Sequence, residues 1–185
     1  MRGRVPIGNG FAGDAPAGTL ALSWLIAAKF APEWGYGPGL LTLFAGRNAP
    51  DGWIVADGRL IKIAAEPALF AAIGSRFGGD GLGNFALPDL RGRTVIGAGE
   101  RPGEDPLMPG QVVNAAGPGG IPALALHYLI CVQGMFANFE RFSGFGTRLP
   151  FVGQIMASAS EEVSDDWIRA ERHVDQATLL RLHLT

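Results

Sequence analysis

The sequence predicts a mixed α+β fold: a module of short strands, one short helix and long Gly/Pro loops, flanked by partial repeats of the same module. Three observations carry this. Glycine supplies 28 and proline 13 of 185 residues, a composition that favours short strands and tight turns over long helices. A single stretch has helical spacing: Leu69, Phe70 and Ile73 fall on one face between Pro67 and Gly74. The chain also repeats itself out of phase. Arg2 to Gly10 matches Arg91 to Gly99, Ala21 to Ala28 matches Ala125 to Val132, and Leu41 to Trp53 echoes Ile155 to Trp167. Self-similarity marks a unit that buries its apolar face against copies of itself. A half-unit at each end predicts that each needs the other, or a neighbouring chain, to complete a core.

In chain order, Met1 to Gly10 is expected to be a turn and a short strand, and Phe11 to Gly18 a loop. The apolar run Leu20 to Ala28 fits a buried strand. Another loop, Glu33 to Gly39, precedes a strand at Leu40 to Ala45. Trp53 to Ala56 and Arg59 to Ile63 are two β-competent runs joined by Asp57-Gly58, which predicts a hairpin. Ala64 or Ala65 opens the helix, Pro67 suits its first turn and Gly74 closes it. Arg76 to Gly99 is turn-rich, with regular structure expected only at the strand Thr94 to Ile96. Glu100 to Gly120 is expected to be the least ordered loop. The second apolar run, Ile121 to Val132, is followed by the Phe/Gly linker Phe136 to Arg148. Phe151 to Ser160 and Trp167 to Val174 are further strands, and Gln176 to Leu184 is a short helical or extended end. The expected division is a closing half-module at 1–39, a complete module at 40–135, a linker at 136–148 and a diverged opening half-module at 149–185.

Composition excludes several classes of function. A formal charge of -2 without a dense Lys/Arg run argues against nucleic acid as the main partner. The apolar runs are too short or interrupted to cross a bilayer, and no apolar stretch after Arg2 and Arg4 forms a standard signal peptide. One cysteine, Cys131, excludes an internal disulfide framework and a multi-Cys zinc site. It sits in an apolar run and is expected to be a buried thiol. His127 and Cys131 would share one side of a strand, but Ser23 and Ala27 stand at the matching places of the first half-repeat. The pair is therefore no property of the repeated unit. No triad, metal box or oriented pair of catalytic carboxylates is found. The carboxylates Glu100, Glu104 and Asp105 share a loop with nothing to orient them. No enzyme activity, cofactor or metal is expected.

The stretch Leu41 to Val132 resembles the phage tail collar family, also seen in the microcystin-dependent group of bacterial proteins. The residues that carry the resemblance are LFAG, APDGW and ADGRLI between positions 43 and 61, PALFAAIGSRFGGDG at 67–81, FALPDLRGRTVIGAG at 85–99, and ALHYLICVQGMF at 125–136. The flanks depart from the pattern. The C-terminal piece keeps Trp167 but loses the Asp-Gly turn and the glycine motif. The N-terminal piece has nineteen residues from Arg2 to Ala21, against thirty-four from Arg91 to Ala125.

The signature positions are Trp53, Asp57, Gly58, Phe77, Gly78, Gly79, Asp80, Phe85, Pro88, Asp89, Arg91, Gly92 and Arg93. In LPDLRGR, Asp89 lies within reach of Arg91, and Gly92 lets the backbone turn between two arginines. Arg91 or Arg93 can meet an anionic sugar or a neighbouring subunit; the preferred reading is a charged clasp that holds its own loop. FGGDGLGNF lacks the spacing of a phosphate-binding loop. Asp80 has too few neighbouring oxygens for calcium, so a turn is expected. Surfaces where half-units or chains meet are expected to use Arg2, Arg4, Trp24, Trp34, Tyr36, Phe139, Phe142, Phe145, Phe151, Ile155 and Trp167.

The resemblance implies a structural subunit of a phage-tail-like or cell-surface fibre, extracellular or on the virion. It would self-associate or join related collar subunits, as a trimer or a head-to-tail fibre. The alternative is a receptor- or glycan-binding tip whose partner is a cell-surface glycan. A polysaccharide-acting enzyme is the weakest reading.

Overall fold

The computed structural model describes residues 4–10, 16–30, 37–114, 120–132 and 154–170. Glycine and proline cut the chain into strands too short to stand alone, and two longer apolar strands gather them. These are β2 (Thr19–Ala27) and β11 (Ala123–Cys131), each nine residues long. A continuous apolar run is what a strand covered on both faces requires.

Around β2 lie β1 (Val5–Gly8), which pairs with it in parallel, and β3 (Leu40–Phe44) and β4 (Trp53–Val55), both antiparallel. Around β11 lie β7 (Thr94–Gly97) in parallel and β12 (Ile155–Ser158) and β13 (Trp167–Arg169), both antiparallel. A further strand, β10 (Val112–Val113), pairs with β11. The groups meet where β3 pairs antiparallel with β12, Leu41 opposite Ala157 and Leu40 opposite Ser158. The result is one nine-stranded sheet.

The N- and C-terminal pieces thus share a sheet without pairing directly. Among the described residues β2 takes β3 and β4, while β12 and β13 take β11. Where the sequence expects each end to pair with the other or with a neighbouring chain, the structure of the single chain puts β3 between them. The reason is edge occupancy: β3 fills one side of β2 along Ser23–Ile26 and β4 fills the other along Leu25–Ala27. Nor does the stretch 40–135 close on itself, since its first strands pair with β2 and its last with β12 and β13.

Between the two groups the chain leaves the sheet. β5 (Leu60–Lys62) pairs with β6 (Asn84–Ala86), and α1 (Pro67–Ile73) lies between them. Proline at the helix start fixes its own backbone and needs no N–H partner, so the helix begins there and not at Ala64 or Ala65. Gly74 caps it with φ 59° and donates to the Phe70 carbonyl. Leu69 and Ile73 are buried, as their spacing predicts, and Phe70 packs on Phe85 with ring centroids 5.4 Å apart.

The main core forms where Trp24, Ile26, Leu124 and Leu126 on one sheet face meet Leu69, Ile73, Phe85 and Leu87. A second cluster joins Ala27, Leu40, Leu129, Cys131, Met156 and Trp167, with Trp53 against it. Trp24 and Trp167 belong to the chain's own core, 8% and 4% exposed.

Three other expectations change. Trp53–Ala56 and Arg59–Ile63 form no hairpin: β4 joins the large sheet and β5 the small one. The Asp-Gly turn exists, Gly58 having φ 76°, but its partner is the loop at Pro88–Leu90. Gly58 donates to the Pro88 carbonyl and Leu90 to the Ala56 carbonyl. Strand β6 lies inside a stretch expected to be irregular. The Glu100–Gly120 loop holds β8 (Gly99–Arg101), β9 (Glu104–Leu107) and β10. Buried Leu107 packs with Ala98 and Ala125, an anchor that a Gly/Pro-rich composition conceals. The strand expected at Phe151–Ser160 spans Ile155–Ser158, with 151–153 outside the described residues. That expected at Trp167–Val174 spans Trp167–Arg169, with 171–174 outside. The linker at 136–148 and Gln176–Leu184 also lie outside.

Candidate functional site

Seven of the thirteen signature residues lie on two turns that face each other. One is Asp57-Gly58-Arg59; the other is the loop Leu87–Arg93. Pro88 is fully buried, as are Leu87 and Leu90 at 1% exposure, which pins the second loop to the core and leaves its charged residues at the rim. Asp57 and Asp89 form an antiparallel bridge, which sets the two residues opposite each other. Each is held by arginine. The Arg59 Nε donates to both Asp57 oxygens at 2.8 and 2.9 Å. Arg91 donates to Asp89 through Nε at 2.9 Å and Nη2 at 3.1 Å. Arg93 reaches the Asp89 carbonyl at 2.8 Å and its carboxylate at 3.1 Å. A Cβ on Gly58 would stand 2.9 Å from the Asp89 Cβ, so glycine is what lets the turns touch.

The Arg59 hydrogen bond holds the Asp57 carboxyl below its ordinary value, against a smaller upward push from burial. Burial pushes Asp89 up, but the bonds from Arg91 and Arg93 together outweigh it and leave the group lowered. Both folded values therefore lie below 3.8. The stability the two carboxylates contribute is full above that unfolded value and is lost as pH falls through the folded ones. Asp89→Asn should flatten the acid limb of an unfolding curve below pH 3.8 and cost up to about 1 kcal/mol at neutral pH, the ceiling for solvent-exposed pairs. Chemical denaturation across pH checks both, and an unchanged acid limb would contradict the assignment.

Asp80 organises the glycine turn. Its Oδ1 accepts from the N–H groups of Leu82, Gly83 and Asn84 at 2.8, 2.8 and 3.0 Å, and its Oδ2 from the Asn84 side chain at 2.8 Å. Those backbone donors, that of Asn84 first, lower its pKa. The partners of Asp80 among the described residues are thus loop groups, as expected of a turn. Gly78 and Gly79 have φ 121° and 93°. A Cβ on Gly79 would lie 2.5 Å from the Phe85 Cα. Phe77 packs half-buried against the main core, and Phe85 is 0% exposed.

Residues 39–95 match the phage tail collar domain. The collar match begins just before β3 and ends in β7, and so contains β4, β5, α1, β6 and both facing turns. No curated protein and no solved structure matches the chain. Collar domains form a structural tail-fibre family, of the virion tail or an extracellular fibre, and not an enzyme family. Among the described residues no helix is long and apolar enough to cross a membrane, and no group of three or more His, Cys, Asp or Glu is placed to hold a metal.

Of the remaining expected positions, Trp53 packs on the second cluster. Gly92 has φ 66° and donates to the Gly8 carbonyl at 2.9 Å. Arg4 is exposed, and Ile155 is 63% exposed. Arg2, Trp34, Tyr36, Phe139, Phe142, Phe145 and Phe151 lie outside the described residues. Cys131 is buried, and His127, four positions earlier on the same strand, is 4% exposed.

The sequence did not reveal two positions. Gly8 carries the collar loop against β1: its N–H donates to the Arg93 carbonyl at 2.9 Å, and it forms a bridge with Arg91. Its signal was the alignment of Gly8 with Gly97. Glu161 gathers Arg76 at 2.7 Å, Arg169 at 3.2 Å and His127 at 3.6 Å, and Arg76 also donates to the Ala159 carbonyl at 3.0 Å. This cluster ties the turn after α1 to the C-terminal piece. It has no sequence signature, because four residues from four segments meet only in the folded chain.

Proposed function

We propose that the chain is a structural subunit of a phage-tail-like fibre, built from two copies of one strand unit and assembling by strand complementation. The observation that carries this is the partner choice of the collar segment. Its strands β3 and β4 pair with β2, which precedes the collar match, and not with β11. Within this chain the collar opening takes its closing strand from outside the matched segment, the same kind of strand addition that would join one copy to the next.

The registers support a duplication. Ser23 faces Phe44 as His127 faces Ser158, and Ala27 faces Trp53 as Cys131 faces Trp167. Val5 faces Thr19 as Thr94 faces Ala123. These are the pairs that the out-of-phase alignment sets side by side. The terminal pieces, 1–39 and 149–185, are on this reading the missing halves of two units whose other halves lie in 40–135.

Light scattering and electron microscopy of the purified full chain test the proposal. The expected result is mass that rises with concentration and elongated particles; a monomer at every concentration overturns it. A glycan-binding tip is the second reading. It is favoured by the β8–β9 hairpin, whose residues Pro102–Pro106 are all exposed, and a glycan array without hits would end it.

A further inference from the structure

The two groups of strands differ at one place. Beside the first half of β11 runs β10: Ala125 donates to the Gln111 carbonyl at 2.9 Å and accepts from Gly110 at 2.8 Å. The corresponding half of β2 has no such strand among the described residues, because the N-terminal loop is shorter by the length that forms β8 to β10. Strand alternation shows what is left open. The Leu22 carbonyl accepts from Asn9 on the β1 side, so Ala21, one residue away, turns its N–H and C=O to the opposite side. Side chains report the same gap. Ala123 to Leu126 are at most 2% exposed, whereas Ala21 is exposed and Leu20 and Leu22 are half-buried. Unpaired edge groups flanked by apolar side chains are a template for another strand.

The complementary surface is on the same molecule. β10 pairs with β11 through Gln111 and Val113, which leaves the N–H and C=O of Val112 pointing away from the sheet. Val112 is 46% and nearby Met108 66% exposed. So β10 is a strand of the kind that fills this slot in the twin group, with its outer edge free and apolar residues beside it.

We infer that the free edge of β10 in one copy docks against the open edge of β2 in a second copy, Val112 opposite Ala21, and continues the sheet between molecules. This rests on the fibre-subunit reading and names its contact. The two edges are different surfaces, so the contact is head-to-tail and propagates unless it closes into a ring.

That asymmetry gives a test with the full chain. Lysine on a strand edge blocks pairing, and Ala21 and Val112 are both exposed, so neither Ala21→Lys nor Val112→Lys disturbs the core. Each variant alone should lose at least tenfold in association by light scattering. An equimolar mixture should give dimers and nothing larger, because each variant keeps the edge the other lacks. Circular dichroism confirms folding, and Ala21→Glu with Val112→Glu replaces any variant that fails. If the wild type assembles and the variants assemble equally well, the edge contact is wrong while the fibre reading stands. If the wild type never assembles, the fibre reading fails and takes the contact with it.

Discussion

Gly8→Ala is expected to destabilise the fold by about 3 kcal/mol, the upper end for forcing an atom into a filled space. A Cβ there would sit 1.6 Å from the Leu90 carbonyl oxygen and 2.6 Å from its carbon. Both are main-chain atoms, so no side chain can swing aside. The loop would have to retreat, breaking the bonds from Gly8 to Arg93 and from Gly92 to Gly8. Gly97→Ala is the control. It holds the equivalent place in β7, where a Cβ would meet only the Tyr128 ring at 3.6 Å, an ordinary contact, and it should cost nothing measurable. Urea denaturation of both variants decides the matter. Equal midpoints would mean that β1 is not seated on the collar loop as described.

The second large effect belongs to Phe85→Ala, expected to cost roughly 3–5 kcal/mol. Phe85 is wholly buried, belongs to the main core with Leu69 and Ile73, and packs on Phe70. Gly79 presses its backbone against the Phe85 main chain, so the surroundings have little room to close on a cavity. Loss of the ring should loosen the seat of α1 and the glycine turn together. Calorimetry would show this as a large fall in Tm. A loss under about 1 kcal/mol would be that of a ring at a yielding site, and would remove Phe85 from the centre of the collar segment.

Much of the fold was legible because the governing interactions are local. The apolar run at Leu20–Ala28 fits a buried strand by its length and flanks, and that at Ile121–Val132 contains the other long strand. Pro67 and Gly74 bracketed α1, and the spacing of Asp89 and Arg91 put them within reach of each other. What failed to show were choices between distant partners. Asp57-Gly58 has the chemistry of a hairpin turn, yet its strands part because the loop at Pro88–Leu90 takes the turn's backbone groups. β6 and β8 to β10 were hidden because two- to four-residue strands carry too little periodicity to rise above surrounding glycine and proline. The arrangement of the terminal pieces was not legible: the sequence left open pairing with each other or with a neighbouring chain, and edge occupancy is what seats β2 beside β3 and β4, and β12 and β13 beside β11.

The seam between β3 and β12 has a consequence for biosynthesis. Residues near position 40 and residues near 157 must meet before the sheet is whole, so a nascent chain emerging from the ribosome holds β11 with one flank bare until Ile155–Ser158 has been translated. During that interval the safest neighbour is the chain's own unfinished end and the most dangerous is another growing copy. Slow synthesis across the Phe/Gly stretch would lengthen the exposure, and crowded polysomes would turn it into mispairing.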